Sequence, residues 1–328
     1  MTACYTIEPI KLSKTGIPVF SDEDFYSQNY DKIAADHLAV ENEKGQNPFM
    51  PDDLRTLLEE STRALIRKYL SPGDKILDVG VALGRLLDEI EGCGKYGTDI
   101  SLAYLETAQQ KGIDVCLSRA EELPYKENFF DMVVCTDMLE HVFDLMLVAK
   151  NLLAVLKPGG VLIIRVPQNE YLKSYFDEDY PYEYVHMRTF DLFSLRALFE
   201  KILGQSVLEW SETLYPNKDI WQPLQNLSSI QSEYVEILEM MSSLGMRIQK
   251  IGQMQGSLTF FKRVIRYLYR KTNMYKQYAN TYKQYTNTYD KFVYANQKFN
   301  MYLSDDEIKY KLFKGEINMV IRKQDTRS

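Results

Sequence analysis

Histidine, tryptophan and cysteine are scarce in this 328-residue chain, at three, two and four residues. The cysteines, Cys4, Cys93, Cys116 and Cys135, are scattered without metal-type spacing. They fit buried free thiols in a reducing compartment. The histidines, His37, His141 and His186, form no pair with carboxylates at metal-site spacing, so the sequence predicts metal independence. No apolar run is long enough to span a bilayer, and none near the N-terminus resembles a secretory leader, so the expected location is cytoplasmic. Positive charge is in deficit: 39 Lys and Arg against 46 Asp and Glu give a net charge of -7. That argues against nucleic-acid binding by the surface as a whole.

The stretch ILDVGVALGRLLDEI, 76–90, carries the most information. It reads as a short apolar strand, a turn of small residues and a helix. Gly80, Ala82 and Gly84 keep the turn free of bulk, so backbone can approach a ligand closely. Asp78 falls at the strand end, where open α/β sheets bind ligands. Asp99, in KYGTDIS, follows about one βα unit later, at the spacing where a carboxylate meets ribose hydroxyls. A dinucleotide fingerprint needs a last glycine where this chain has Arg85, which disfavours a nicotinamide enzyme.

Downstream, strand and helix patterns alternate. Strands are predicted at 75–79, 95–99, 113–117, 131–136, 161–166 and 206–210, and helices at 84–91, 101–111, 143–156 and 191–203. This order builds a mostly parallel sheet covered by helices on both faces. Before it, 22–38 reads as helical, and Asp52 or Asp53 opens a helix running to about Tyr69.

The small residues at every second position resemble the first motif of class I S-adenosylmethionine-dependent methyltransferases. Three further segments resemble that family in order: AEELPY (120–125), FFDMVVCTDMLEHV (129–142) and LLAVLKPGGVLIIRVP (152–167). The resemblance covers about 74–199. It implies an α/β, doubly wound, mostly parallel seven-stranded sheet with an N-terminal helical lid. No seventh strand follows 206–210 soon; the β-prone run GEINMVIRK (315–323) is the candidate, which makes the intervening stretch a long helical insertion before the last strand, with a separate C-terminal domain as the rival reading. The implied organisation is 1–70 as N-terminal segment and lid, 71–211 as Rossmann-like core, 212–314 as insertion, and 315–328 as last strand and tail.

The cofactor implied is S-adenosyl-L-methionine, with S-adenosyl-L-homocysteine as product. By the resemblance, Gly80, Ala82 and Gly84 border its aminocarboxypropyl tail, and Asp78 orders that loop or reaches the tail through water. Asp99 takes both ribose hydroxyls and Ile100 packs on the adenine. Ala120 offers a backbone contact; Arg119 stands where the family often has an acid, and Glu121 either substitutes for it or faces solvent. Thr136 and Asp137 stand at the mouth. His141, from the Glu-His pair, and His186, in a His-x-Arg-x-Phe segment, are the catalytic candidates, with Arg188 expected to pair with an acid. His37, Tyr26 and Tyr30 lie in the lid region.

The insertion repeats at seven residues, with Tyr275, Tyr278, Tyr282, Tyr285, Tyr289 and Phe292 alternating three and four apart. That lays an aromatic seam along one helix face, suited to a partner helix or a homodimer. LTFFKRVIRYLYRK, 258–271, combines aromatics with unbroken positive charge, the pattern of a helix that packs on its own domain or lies on an anionic membrane. The expected activity is O-methylation of a small molecule, sugar or glycosylated metabolite. The alternative is a non-catalytic scaffold that keeps the cofactor fold and acts through its insertion.

Overall fold

The computed structural model describes residues 4–45, 47–50, 52–168, 170, 172–176, 180–216 and 313–324. The chain divides into two units, one of 1–213 with 315–328 and one of 214–314. The tyrosine repeat and the basic 258–271 segment lie outside the described residues.

A sheet of nine strands organises the first unit: β1 (Lys11–Leu12), β2 (Pro18–Val19), β3 (Lys75–Val79), β4 (Gly94–Asp99), β5 (Asp114–Leu117), β6 (Phe130–Thr136), β7 (Leu156–Gln168), β8 (Ser206–Pro216) and β9 (Phe313–Arg322). Their spatial order is β1-β2-β5-β4-β3-β6-β7-β9-β8. The seven expected strands are therefore extended by two. The pieces between Pro9 and Phe20 are too short to announce themselves by periodicity. They nonetheless add to the edge, where Val19 registers with Leu117 and the Phe20 amide donates to the Leu117 carbonyl at 2.8 Å.

Strands β2 to β7 pair in parallel, whereas β9 runs antiparallel to β7 through eight register pairs, Val161↔Arg322 to Gln168↔Gly315. The chain turns one way from β3 to β4 and the other way from β3 to β6. The C-terminal end of β3 is therefore the topological switch point, the place where such sheets open a crevice.

Neighbouring strand residues face opposite sides, which splits the core in two. Leu77, Val133 and Ile164 pack with Leu152 of α5 (Leu145–Val155) and Leu195 of α6 (Leu192–Arg196). Ile76, Val134 and Ile163 pack with Ile66 of α2 (Asp52–Tyr69) and Leu105 of α4 (Leu102–Gln110). Leu86 and Leu87 of α3 (Arg85–Asp88) join the second group. The strands are apolar on both sides because both sides are covered. Burying a leucine-sized side chain contributes about 1.5–3 kcal/mol, so these two layers dominate the stability of the unit.

Helix α1 (Phe25–Lys44) starts at Asp24, whose carboxylate accepts the Tyr26 and Ser27 amides while the Ser27 hydroxyl takes the Asp24 amide. It ends at Gly45, whose φ of 64° is the left-handed conformation that stops a helix. Among the described residues, no helix is long and apolar enough to cross a membrane.

Candidate active site

Three of the small turn residues have positive φ: Gly80 at 86°, Ala82 at 43° and Gly84 at 70°. Ala82 is an uncommon occupant of that region, because its Cβ crowds the backbone. Its amide donates to Asp99 Oδ2 at 2.9 Å, while the Gly80 and Val81 amides donate to the Thr98 carbonyl at 2.8 and 3.0 Å. The turn is thus stitched to the end of β4.

The glycines serve different ends. A Cβ on Gly80 would lie 3.1 Å from Met138 Cγ, so its absence keeps the mouth open beneath the β6 exit loop. A Cβ on Gly84 would lie 2.7 Å from Ile113 Cδ1, so that glycine answers to packing beneath the turn. Gly97 was missed by sequence reasoning. A Cβ there would lie 2.8 Å from Val81, so β4 needs a glycine for the turn to close on it. A glycine two residues before the β4 aspartate was the signal available.

Asp99 also accepts the Ser101 amide, at Oδ1 and 3.0 Å. Each oxygen keeps a further lone pair, so the carboxylate is fixed in orientation and still able to accept two hydroxyls. Burial raises its pKa against the pull of these backbone donors. Asp78 is 2% exposed and its Oδ1 has no hydrogen-bond partner. Burial, with the Asp99 and Asp137 charges added, pushes its pKa up to about 8, although Arg165 pulls the other way. An orphaned carboxylate oxygen at the switch point is a site for a cation or a donor. Ile100 is partly buried beside Asp99, and Thr136 ends β6 in register with Arg165.

Glu121, Arg119 and Arg188 each find partners fixed by tertiary packing. Glu121 turns towards the start of α5, where its Oε1 accepts the Phe143 amide at 3.1 Å. Arg119 binds Asp24 Oδ2 at 2.5 Å and lies over the Tyr26 ring at 4.8 Å, so it fastens α1 to the core. Arg188 forms no ion pair among the described residues; it donates to the carbonyls of Leu139, at 2.7 Å, and Phe143, at 3.2 Å. Ala120 is buried, and its carbonyl accepts the Asn151 side chain at 3.1 Å. Asp137 is held by two hydrogen bonds from the buried Arg165, which also donates to Thr62 Oγ1 at 3.0 Å.

His141 and His186 are brought together, their rings edge to face at 4.5 Å. His141 Nδ1 lies 2.9 Å from the Val185 carbonyl and 2.7 Å from the Tyr30 hydroxyl. Tyr26 donates to the His141 carbonyl at 3.3 Å. Asn29 of α1 donates to the Tyr184 carbonyl at 2.9 Å and Lys32 to that of Pro181 at 2.6 Å, so α1 covers the 180–188 loop. Burial, reinforced by His186, lowers the His141 pKa to about 3, far below what a general base at neutral pH needs. His186 Nδ1 hydrogen-bonds to the Glu170 carboxylate and to the Tyr175 hydroxyl at 3.2 Å. His37 lies elsewhere on α1, with Nδ1 at 2.7 Å from Tyr104 Oη and burial lowering its pKa to about 4.

Contrary to the spacing argument against metals, one group of three ligand-type side chains comes together among the described residues: Glu140, His141 and His186. Sequence distance hid it, because the 180–188 loop returns over the β6 exit. The amide of Met187 donates to the Glu140 carbonyl at 2.9 Å to hold it there.

A family profile described as a methyltransferase domain matches 77–164, from the apolar strand before the turn to the middle of β7. The chain is similar to a ubiquinone biosynthesis O-methyltransferase from Xanthomonas campestris, at 30% identity over 158 residues. That match covers 45% of this chain and 64% of the relative. A demethylmenaquinone methyltransferase from Corynebacterium urealyticum is 31% identical over 100 residues, 30% of this chain and 44% of its own. Phosphoethanolamine N-methyltransferase 1 from Arabidopsis thaliana is 28% identical over 149 residues, 42% and 30% respectively. The chain thus spans less than two thirds of each of these relatives. Among solved structures, Haemonchus contortus phosphoethanolamine N-methyltransferase 2 with S-adenosyl-L-methionine aligns at a TM-score of 0.48 and 16% identity, covering 94% of this chain and 62% of that one.

Proposed function

We propose that the whole chain is an S-adenosylmethionine-dependent methyltransferase that methylates an oxygen of a small molecule, a sugar or a glycosylated metabolite. The observation that carries this reading is the switch-point crevice inside the methyltransferase domain, with its bare turn, its oriented Asp99 and the orphaned Asp78 Oδ1. These residues fit the cofactor. Asp99 has lone pairs to spare for the ribose hydroxyls, and Ile100 beside it offers an apolar face to adenine. Asp78 supplies a buried, unpartnered carboxyl oxygen beside the turn, which a cationic tail bound there would favour in its ionised form. Gly80 leaves the room a side chain would take.

Bound there, the cofactor supplies an electrophilic methyl on a leaving group that needs no acid. The protein has three tasks: to align acceptor and donor, to exclude water, and to hold charge where it is needed. The acceptor side is walled by the β6 exit loop and by the 180–188 loop beneath α1. Relatives named for O-methylation support the choice of oxygen, although the N-methyltransferase among them keeps nitrogen in view.

Calorimetric titration of the full chain with S-adenosylmethionine and, separately, with NAD tests the reading. Stoichiometric binding of the first and none of the second is expected. Binding of NAD alone would replace the proposal with an oxidoreductase. Binding of neither would favour the scaffold reading, in which the chain works through its insertion.

A further inference from the structure

The loop after β6 holds a group with no use in the cofactor crevice. Glu140 is 1% exposed, and neither carboxylate oxygen has a hydrogen-bond partner. A buried carboxylate left without donors costs several kcal/mol and persists where something compensates it. Its Oε1 lies 3.9 Å from His141 Nε2, and one ligand atom each from Glu140, His141 and His186 lies within 4.8 Å of the others.

We propose that Glu140, His141 and His186 form a binding site for one divalent transition-metal ion of the zinc or cobalt type, with a coordination position left open to an oxygen ligand.

Both imidazoles are already oriented for it. In each, Nδ1 faces an oxygen: the Val185 carbonyl for His141 and the Glu170 carboxylate for His186. That arrangement fixes the tautomer and leaves Nε2 as the lone pair free for a metal. Carbonyl or carboxylate support behind a histidine is the usual outer layer of a metal centre. Two nitrogens and one carboxylate oxygen select borderline ions over magnesium or calcium, which prefer all-oxygen shells. Bonds of about 2.0–2.2 Å to zinc put tetrahedral ligand atoms roughly 3.4 Å apart, so modest rotamer shifts close the group around an ion. The histidine side chains are 17% and 15% exposed, which gives an ion and a fourth ligand a way in. One carboxylate against a dication leaves a net positive centre, suited to a water, hydroxyl or alkoxide oxygen.

The test uses the untagged full chain, stripped with chelator. Calorimetry with Zn²⁺ should give one ion per chain, whereas Mg²⁺ should give no comparable binding. The Co²⁺ form should show visible d–d bands without thiolate charge transfer. X-ray absorption on the zinc form should count two imidazoles. Glu140→Gln and His186→Gln should each weaken Zn²⁺ by about a hundredfold or more, as expected when one of three ligands is lost. Cys93→Ser should leave it unchanged. Titration with S-adenosylmethionine alongside checks that each variant keeps its fold, and the proposed function stands or falls on that titration alone. Absence of stoichiometric Zn²⁺ binding, a zinc shell without two imidazoles, or affinity that survives both ligand variants or vanishes with Cys93→Ser would overturn the site.

Discussion

The two walls of the crevice are built on opposite plans. On the β3–β4 side, every key contact is local to two adjacent βα units: Ala82 to Asp99, Gly80 to Thr98, Ser101 to Asp99. On the β6 side, Tyr30, His141, Val185, His186 and Glu170 converge from three distant parts of the chain. The first wall is backbone recognition by a fixed carboxylate. The second is a side-chain network under a covering helix. A local wall suits a common cofactor, while a wall assembled from loops is free to vary with the acceptor.

Breaking the first wall should have the largest effect. Asp99→Ala removes the proposed ribose acceptor and frees the Ala82 and Ser101 amides. Cofactor affinity should fall by about a hundredfold or more, roughly 3 kcal/mol, in calorimetry. Affinity within a few-fold of wild type would end the ribose assignment. Next comes Gly97→Ala, where the added Cβ meets Val81 of the turn. A loss of about 2 kcal/mol in denaturant unfolding is expected, with the cofactor titration showing whether the turn moves as well.

Asp78 sharpens the comparison through pH. Its carboxyl keeps its proton in the folded chain up to about 8, whereas the ordinary value is 3.8. The native state therefore binds the extra proton between those values and loses stability as pH rises through that window. A cationic ligand favours the ionised form, so cofactor affinity should rise with pH below about 8, by at most about tenfold per unit. Asp78→Asn should flatten both slopes, in thermal melts and in calorimetry. A slope unchanged in the variant would assign the proton elsewhere.

The smallest effect belongs to the second wall. Tyr30→Phe removes one hydroxyl from the His141 and Val185 cluster. It should cost about 1 kcal/mol of stability and shift turnover while leaving cofactor affinity alone. An equal loss of cofactor affinity would show that the two walls are coupled.

This division also explains what the sequence made legible. The parallel sheet, the turn and the roles open to Asp78 and Asp99 could be read because apolar period, small residues and strand ends are local signals. Arg119, Glu121 and Arg188 could not, because their partners, Asp24, the Phe143 amide and the Leu139 carbonyl, are fixed only by tertiary packing. The Glu140, His141 and His186 group was invisible for the same reason: 45 residues separate the two histidines, and spacing rules see only short distances. The edge strands β1 and β2, two residues each, fell below any periodicity.

The position of β9 bears on the order of synthesis. It is inserted between β7 and β8, yet it leaves the ribosome only after the whole stretch 217–312 has been made. Until then the outer edge of β7 has no neighbour on that side, and the surfaces destined for Ile317, Met319 and Ile321 stay bare. A nascent chain is thus obliged to wait for its penultimate sheet position, with an open strand edge of the kind that chaperones hold and that aggregation exploits.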